Sequence, residues 1–365
     1  MTAHIQTSIR NHLGIITLAR PDVLNSLSLD MVRALTQALA QWRDDDAIHA
    51  VLIRGAGDKA FCAGGDIRFF YDVGTATPKG GSALLEDFFT EEYALNHLIH
   101  FYPKPYIALM HGVVMGGGMG VAQAGAAARV RIVTERTRMA MPEVNIGLFP
   151  DVGGGHFLSH MEGRIGTYLG VTGEIINAAD AIYCGLADVF VPSAQLEALT
   201  DHLAATDVGK GCAAILAAVV AFASRWQNDL PAGRLAGQRN AIDRHFAHDG
   251  VAAIMASLST DDSPFARDTL AVMAKRSPLM MCVTLEQLRR SAGMDVADCL
   301  RLERTMVRHC FEHGEVLEGV RALVIDRDNT PRWNPAELQA VTPGMIERFF
   351  EPAWPAHAHP LRELR

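Results

Sequence analysis

The chain has 365 residues, 49% hydrophobic and 20% charged, and a formal net charge of −8 from 33 Lys and Arg against 41 Asp and Glu. This is globular composition with ample material for a core. The acidic balance excludes a surface that tracks nucleic-acid phosphates, so a polyanionic ligand has to be met by local basic groups.

The N-terminus, Met1-Thr2-Ala3-His4-Ile5-Gln6, lacks a basic region followed by an apolar run, and no signal peptide is expected. Residues 13–19 read as a strand ended by Arg20-Pro21-Asp22. Ser28 opens a helix to about Trp42, with apolar positions at Met31, Leu35, Leu39 and Trp42. Residues 50–54 form a short buried strand, and a glycine-rich loop follows from Gly55 to Gly65. Residues 71–82 read as turn-rich and mobile. Residues 86–100 are predicted helical and 105–110 a strand. After Met115-Gly116-Gly117-Gly118 a small-residue helix runs to about Ala127, and 129–133 is again a strand. The apolar stretch at 108–128 is crowded with glycines and holds His111 and Gln123, which fits a buried strand-and-helix unit better than a membrane span. Strands alternating with helices at short apolar runs predict an α/β fold with both sheet faces covered.

After about Ser193 the composition turns rich in Ala and Leu, with helical spacing over 196–223 and 232–308. The chain is therefore expected to divide into a core at 1–193 and a helical region at 194–365. Residues 318–328 read as helix then strand, and 352–360, rich in proline, as irregular. The six cysteines (Cys62, Cys184, Cys212, Cys282, Cys299, Cys310) make no C-x-x-C pair and no zinc spacing. They read as free thiols in a reducing, cytoplasmic compartment.

Gly55-Ala56-Gly57-Asp58-Lys59-Ala60 fits a dinucleotide-binding spacing, but it runs into Phe61-Cys62 rather than into a helix. Neither a P-loop nor a G-x-S-x-G nucleophile elbow is present. What remains is a pair of turns, Ala63-Gly64-Gly65-Asp66 and Met115-Gly116-Gly117-Gly118, each after a buried strand. Each leaves backbone N–H groups uncovered, and the second opens a helix with a partially positive N-terminus. Two such donors converging on one point make an oxyanion hole. Tight strand–helix packing is the structural alternative.

Lys59-Ala-Phe-Cys-Ala-Gly-Gly-Asp-Ile67 and His111-Gly-Val-Val-Met-Gly-Gly-Gly118 resemble the two signatures of the crotonase (enoyl-CoA hydratase/isomerase) superfamily. The resemblance implies a spiral of ββα units with a helical C-terminal region. It also implies an acyl-CoA substrate whose thioester oxygen is held by the N–H groups of Gly65 and Gly117. Hydratases of this superfamily carry two glutamates. Here the first position is Gly120, while the second is Glu143 in Met141-Pro142-Glu143, so a two-carboxylate hydration lacks one acid. The run from Met141 to Gly155, with Glu143 and Asp151, resembles the branch that hydrolyses 3-hydroxyisobutyryl-CoA, a step of valine catabolism. Glu91-Glu92-Tyr93 and the late segment from Glu318 to Pro335 resemble it too.

That branch implies thioester hydrolysis with Glu143 as nucleophile or general base. Asp151 orients the substrate hydroxyl, the water or Glu143, and Glu92 borders the acyl pocket. The apolar neighbours Ile146, Leu148 and Phe149 suggest a dry pocket, where a carboxylate is more basic. Each residue also has a plain structural reading. Pro142-Glu143 fits a helix start, Asp151 a turn acid, Glu92 a solvated charge, Asp66 a helix cap and Cys62 a buried apolar residue. His111 fits a packing histidine, and Arg321 and Trp333 closure of the fold. Two further readings compete: an enoyl-CoA isomerase or atypical hydratase with Glu143 as sole acid–base, and a non-catalytic acyl-CoA binder. No metal or redox cofactor is implied, CoA being part of the substrate. Neither nucleic acid nor a membrane is an expected partner, and the helical tail suits either a capped monomer or a homo-oligomer interface.

Overall fold

The computed structural model describes residues 2–123, 129–206, 212–313 and 315–365. Two compact units interleave along the chain. The first is Met1–Gly65, Ala94–Ala140 and Ile175–Ala236; the second is Asp66–Tyr93, Met141–Glu174 and Gly237–Arg365. Neither coincides with residues 1–193 or 194–365, because composition follows secondary structure whereas compactness follows which segments pack together.

All strands among the described residues lie in the first unit. In chain order they are β1 (Ile5–Arg10), β2 (Leu13–Leu18), β3 (Ala50–Gly55), β4 (Ala60–Cys62), β5 (Tyr106–Met110), β6 (Val113–Met115), β7 (Arg129–Val133), β8 (Arg138–Ala140) and β9 (Val189–Phe190). A six-stranded sheet has the order β1-β2-β3-β5-β7-β9, and a three-stranded sheet the order β4-β6-β8. Among the described strands β1 pairs antiparallel with β2, and the other strand pairs are parallel. Leu13, Ile15, Leu52, Ile107, Leu109 and Ile132 pack against Leu199, Leu203, Ile215 and Val219 from the helices Leu196–Ala205 and Cys212–Ala223. Ile16, Leu18, Val51, Ile53 and Ala108, alternating with these, are buried as well. Burial on both faces explains why β2, β3 and β5 read as continuous apolar runs. The helix Leu29–Arg43 starts where predicted, with the Ser28 side chain accepting from the Met31 N–H.

Elements too short or too polar for a periodic signal escape the sequence reading. In β1 only Ile5 is buried, and β4, β6 and β8 span three residues each. The small-residue helix is Gly117–Ala122; its expected end near residue 127 lies outside the described residues.

The described residues of the second unit hold helices and turns but no strand. Residues 71–82 depart from expectation: Ile67–Ala76 is an α-helix. Asp66 caps it, accepting from the Phe69 N–H at 3.3 Å. Phe70 anchors it, with its ring 4.9 Å from Phe88 and 5.0 Å from Phe89. The expected strand at 321–326 is also corrected. After the helix Glu315–Val320, residues Arg321–Ile325 make a π-helical turn. Arg321 holds it by ion pairs to Glu318 at 2.8 Å, Asp326 at 2.5 Å and Asp328 at 2.7 Å. No strand stands among the described residues of this unit to pair with an extended 321–326. The segment 352–360 is irregular apart from one 3-10 turn at Ala356–Ala358.

Candidate active site

Both glycine turns belong to the first unit and leave neighbouring strands. β4 and β6 run parallel, with Ala60 opposite Val113 and Cys62 opposite Val114. Their C-terminal ends therefore deliver Gly64-Gly65 and Gly116-Gly117 to the same edge. Gly64 has φ +100°, and a β-carbon there would sit 3.4 Å from the Gly117 nitrogen. A side chain at Gly118 would strike the Cys62 carbonyl. Close backbone approach thus requires glycine at both positions. Among the described residues, neither the Gly65 nor the Gly117 N–H has a backbone acceptor. Two undonated N–H groups on adjoining turns can receive a developing oxyanion. Gly120 lies buried in Gly117–Ala122, a helix without an acidic side chain.

Glu92, Glu143 and Asp151 belong to the second unit, where all three are buried. Glu143 opens the one-turn 3-10 helix Glu143–Ile146 directly after Pro142. The Leu148 N–H donates to its carbonyl at 3.0 Å, and the Ser277 N–H to the Val144 carbonyl at 3.3 Å. Gly147 closes the turn at φ +71° with its α-carbon against the Glu315 carbonyl, and Gly319 packs on the Ile146 backbone. These contacts fix the backbone on which Glu143 stands. Among the described residues its Oε2 and the Glu92 Oε1 are buried without a hydrogen-bond partner. Asp151 Oδ2 accepts from the Tyr93 hydroxyl at 2.7 Å.

Burial, with the Asp151 charge second, pushes both Glu143 and Glu92 well above the usual carboxylate range. Burial also raises Asp151, to about 6, against the opposing pull of the Tyr93 hydroxyl. Glu143 is a correspondingly strong base once ionised. Among the described residues no three His, Cys, Asp or Glu side chains converge as a metal site. No described helix is long and apolar enough to cross a membrane.

Gly65 and Gly117 therefore stand together in one unit, and Glu92, Glu143 and Asp151 in the other. Burial shows that Glu92 is not a solvated helix charge. Asp66 is a helix cap, and Cys62 is fully buried. His111 Nδ1 lies 3.0 Å from Thr134 Oγ1, a packing contact in the first unit. Trp333 Nε1 donates to the Lys275 carbonyl at 3.4 Å. Sequence reasoning missed Glu303, which is fully buried and accepts from the N–H groups of Gly153 and Gly155, each at 2.8 Å. Nothing local marks it, because it sits in the amphipathic helix Val296–His313 among charged neighbours. Glu315, buried and accepting from Ser277 Oγ at 2.9 Å, was missed for the same reason.

Residues 13–350 match the family described as Enoyl-CoA hydratase/isomerase. The chain is 38% identical over 339 residues to the mitochondrial 3-hydroxyisobutyryl-CoA hydrolase of Homo sapiens, covering 93% of this chain and 86% of that protein. It is 39% identical over 340 residues to the mitochondrial 3-hydroxyisobutyryl-CoA hydrolase of Danio rerio, covering 92% and 86%. Among solved structures, a carnitinyl-CoA dehydratase from Mycobacterium thermoresistibile superposes with a TM-score of 0.88 at 38% identity, covering 97% of this chain and 98% of that one. An enoyl-CoA hydratase from Rhodobacter sphaeroides gives a TM-score of 0.83 at 36% identity, covering 96% and 98%. With the paired glycine turns on parallel strands and a match along nearly its whole length, the chain belongs to the enoyl-CoA hydratase/isomerase family and has the crotonase fold.

Proposed function

We propose that this protein hydrolyses a short 3-hydroxyacyl-CoA thioester, 3-hydroxyisobutyryl-CoA, to 3-hydroxyisobutyrate and CoA. The observation that carries the reading is the buried set of Glu143, Asp151 and Glu92, combined with Gly120 at the position where a hydratase needs its other acid. The Gly65 and Gly117 N–H groups hold the thioester oxygen as it gains charge. Glu143 then acts in one of two ways. It attacks the carbonyl carbon, expels the CoA thiolate and leaves a mixed anhydride that water opens. Or it takes a proton from water, which attacks directly. Either way water and thioester become carboxylate and thiol. Asp151 orients the hydroxyl or the water, and Glu92 lines the acyl group. The names of the vertebrate relatives support this substrate.

The names of the two bacterial structures favour a second reading, a hydratase or dehydratase with Glu143 as its only acid–base group. One assay separates the two. Free thiol is followed from 3-hydroxyisobutyryl-CoA, with crotonyl-CoA in parallel, for wild type and Glu143→Ala. Thiol release abolished by Glu143→Ala, with crotonyl-CoA untouched, upholds the hydrolase. Loss of the enoyl absorbance without thiol release overturns it. As for location, five free cysteines among the described residues fit a reducing compartment such as the cytoplasm, although the vertebrate relatives carry mitochondrial names. Cell fractionation decides between them.

A further inference from the structure

The turn that carries Asp151 is held in a costly shape. Val152, β-branched and buried, has φ +53°, a left-handed conformation that branched residues avoid. Gly153 follows at φ +87° and is the N-cap of the helix Gly154–Ser159, yet it has no side chain with which to cap it. The missing cap comes from far along the chain. Glu303 Oε2 accepts from the Gly153 N–H and Oε1 from the Gly155 N–H, both at 2.8 Å. Gln287 Nε2 donates to the Pro150 carbonyl at 2.7 Å and reaches Glu303 Oε1 at 3.4 Å. Two core helices, Pro278–Ser291 and Val296–His313, thus grip the turn on both sides of Asp151. A strained turn persists only where its surroundings over-determine it, and here the surroundings are these side chains.

We infer that Glu303 is a positioning residue for Asp151: by clamping the Gly153 and Gly155 N–H groups it fixes the turn that aims the Asp151 carboxylate. Its effect on catalysis rests on the hydrolase reading above. Asp151 is then fixed twice, its backbone by Glu303 and its carboxylate by the Tyr93 hydroxyl. Glu303→Gln exchanges one acceptor oxygen for an amino group that faces an N–H, so the grip fails while the side-chain length is kept.

The test compares wild type, Glu303→Gln, Asp151→Asn and the double variant in thiol release from 3-hydroxyisobutyryl-CoA across pH. Hydrogen exchange is measured over residues 150–158 of the same proteins. The expected result is a kcat lowered ~10- to 100-fold in Glu303→Gln, as for a small misplacement of a catalytic group. KM stays within about threefold and the acid limb of the pH profile moves. The double variant is no slower than Asp151→Asn alone, because both changes remove one function. Exchange over 150–158 rises in Glu303→Gln. A wild-type kcat and pH profile accompanied only by a lower melting temperature overturns the inference, as do losses that multiply in the double variant. Should Glu303→Gln not fold, Glu303→Asp, which keeps the carboxyl but draws it back by one methylene, carries the same comparison. Wild type silent on thiol release sinks the hydrolase reading instead. The exchange measurement then decides the clamp: raised exchange upholds it and unchanged protection overturns it.

Discussion

The Tyr93 hydroxyl donates a 2.7 Å hydrogen bond to Asp151 Oδ2, and both residues are buried. That bond works against the burial that raises all three acids of the second unit. Burial raises Asp151 to about 6, while this bond and a backbone hydrogen bond favour its ionised form. The Asp151 charge then adds to burial in pushing Glu143 and Glu92 up.

Tyr93→Phe removes that donor and keeps the ring. A hydrogen bond to a charged group is worth about 1.5–3 kcal/mol. Asp151 should therefore become still harder to ionise. kcat for thiol release is expected to fall by at least ~10-fold, with the acid limb displaced to higher pH. Rate profiles of the two proteins check this, and an unmoved limb counts against any role for the hydroxyl.

The same carboxyls set the pH dependence of wild type. On the proposed hydrolase reading Glu143 and Asp151 work in their ionised forms, and both are raised above ordinary values. Activity is therefore lost as pH falls through the raised values. The acid limb of kcat/KM should lie at or above about 6. A limb in the range of a solvated glutamate, roughly 4.3, contradicts the burial argument.

Glu315 gives a stability prediction of opposite sign to the usual carboxylate. Burial pushes it up to about 7, above its unfolded value, although Ser277 donates to it. A raised carboxyl contributes stability that is full below the unfolded value and lost as pH rises through the folded one. Glu315→Gln keeps an acceptor for Ser277 and removes the titration. Its melting temperature relative to wild type should climb between about pH 5 and pH 8. Thermal melts at both ends of that window check the slope, and parallel curves would refute it.

Gly155 tests the packing under the Asp151 turn. A β-carbon there would stand 2.5 Å from Ser291 Oγ, 3.0 Å from Glu303 Oε1 and 3.2 Å from Gln287 Nε2. Gly155→Ala should destabilise by about 1–3 kcal/mol, the usual penalty of overpacking. Adding Ser291→Ala, which removes the nearest atom, should recover part of the loss. Chemical denaturation of the three proteins measures both steps, and a neutral Gly155→Ala shows that the cluster yields easily.

The sequence by itself determined the strands β2, β3, β5 and β7, the Ser28-capped helix and the helical character of the C-terminal half. All of these follow from period, run length and capping, which are local properties. It also supplied Gly65, Gly117, Glu92, Glu143 and Asp151 as residues to watch, through motifs short enough to stand in one stretch of chain. Only the tertiary structure decided which acids lose water. Glu92 and Glu303 each occupy a helix position that looks like a solvated charge, yet both are buried. Tertiary packing also made a helix of Ile67–Ala76, where Phe70 meets Phe88 and Phe89, and a π-turn of Arg321–Ile325, where Arg321 gathers three carboxylates. Burial and charge pairing depend on residues distant in sequence, so the basicity of Glu143 and the clamp on the Asp151 turn exist only once those segments have come together.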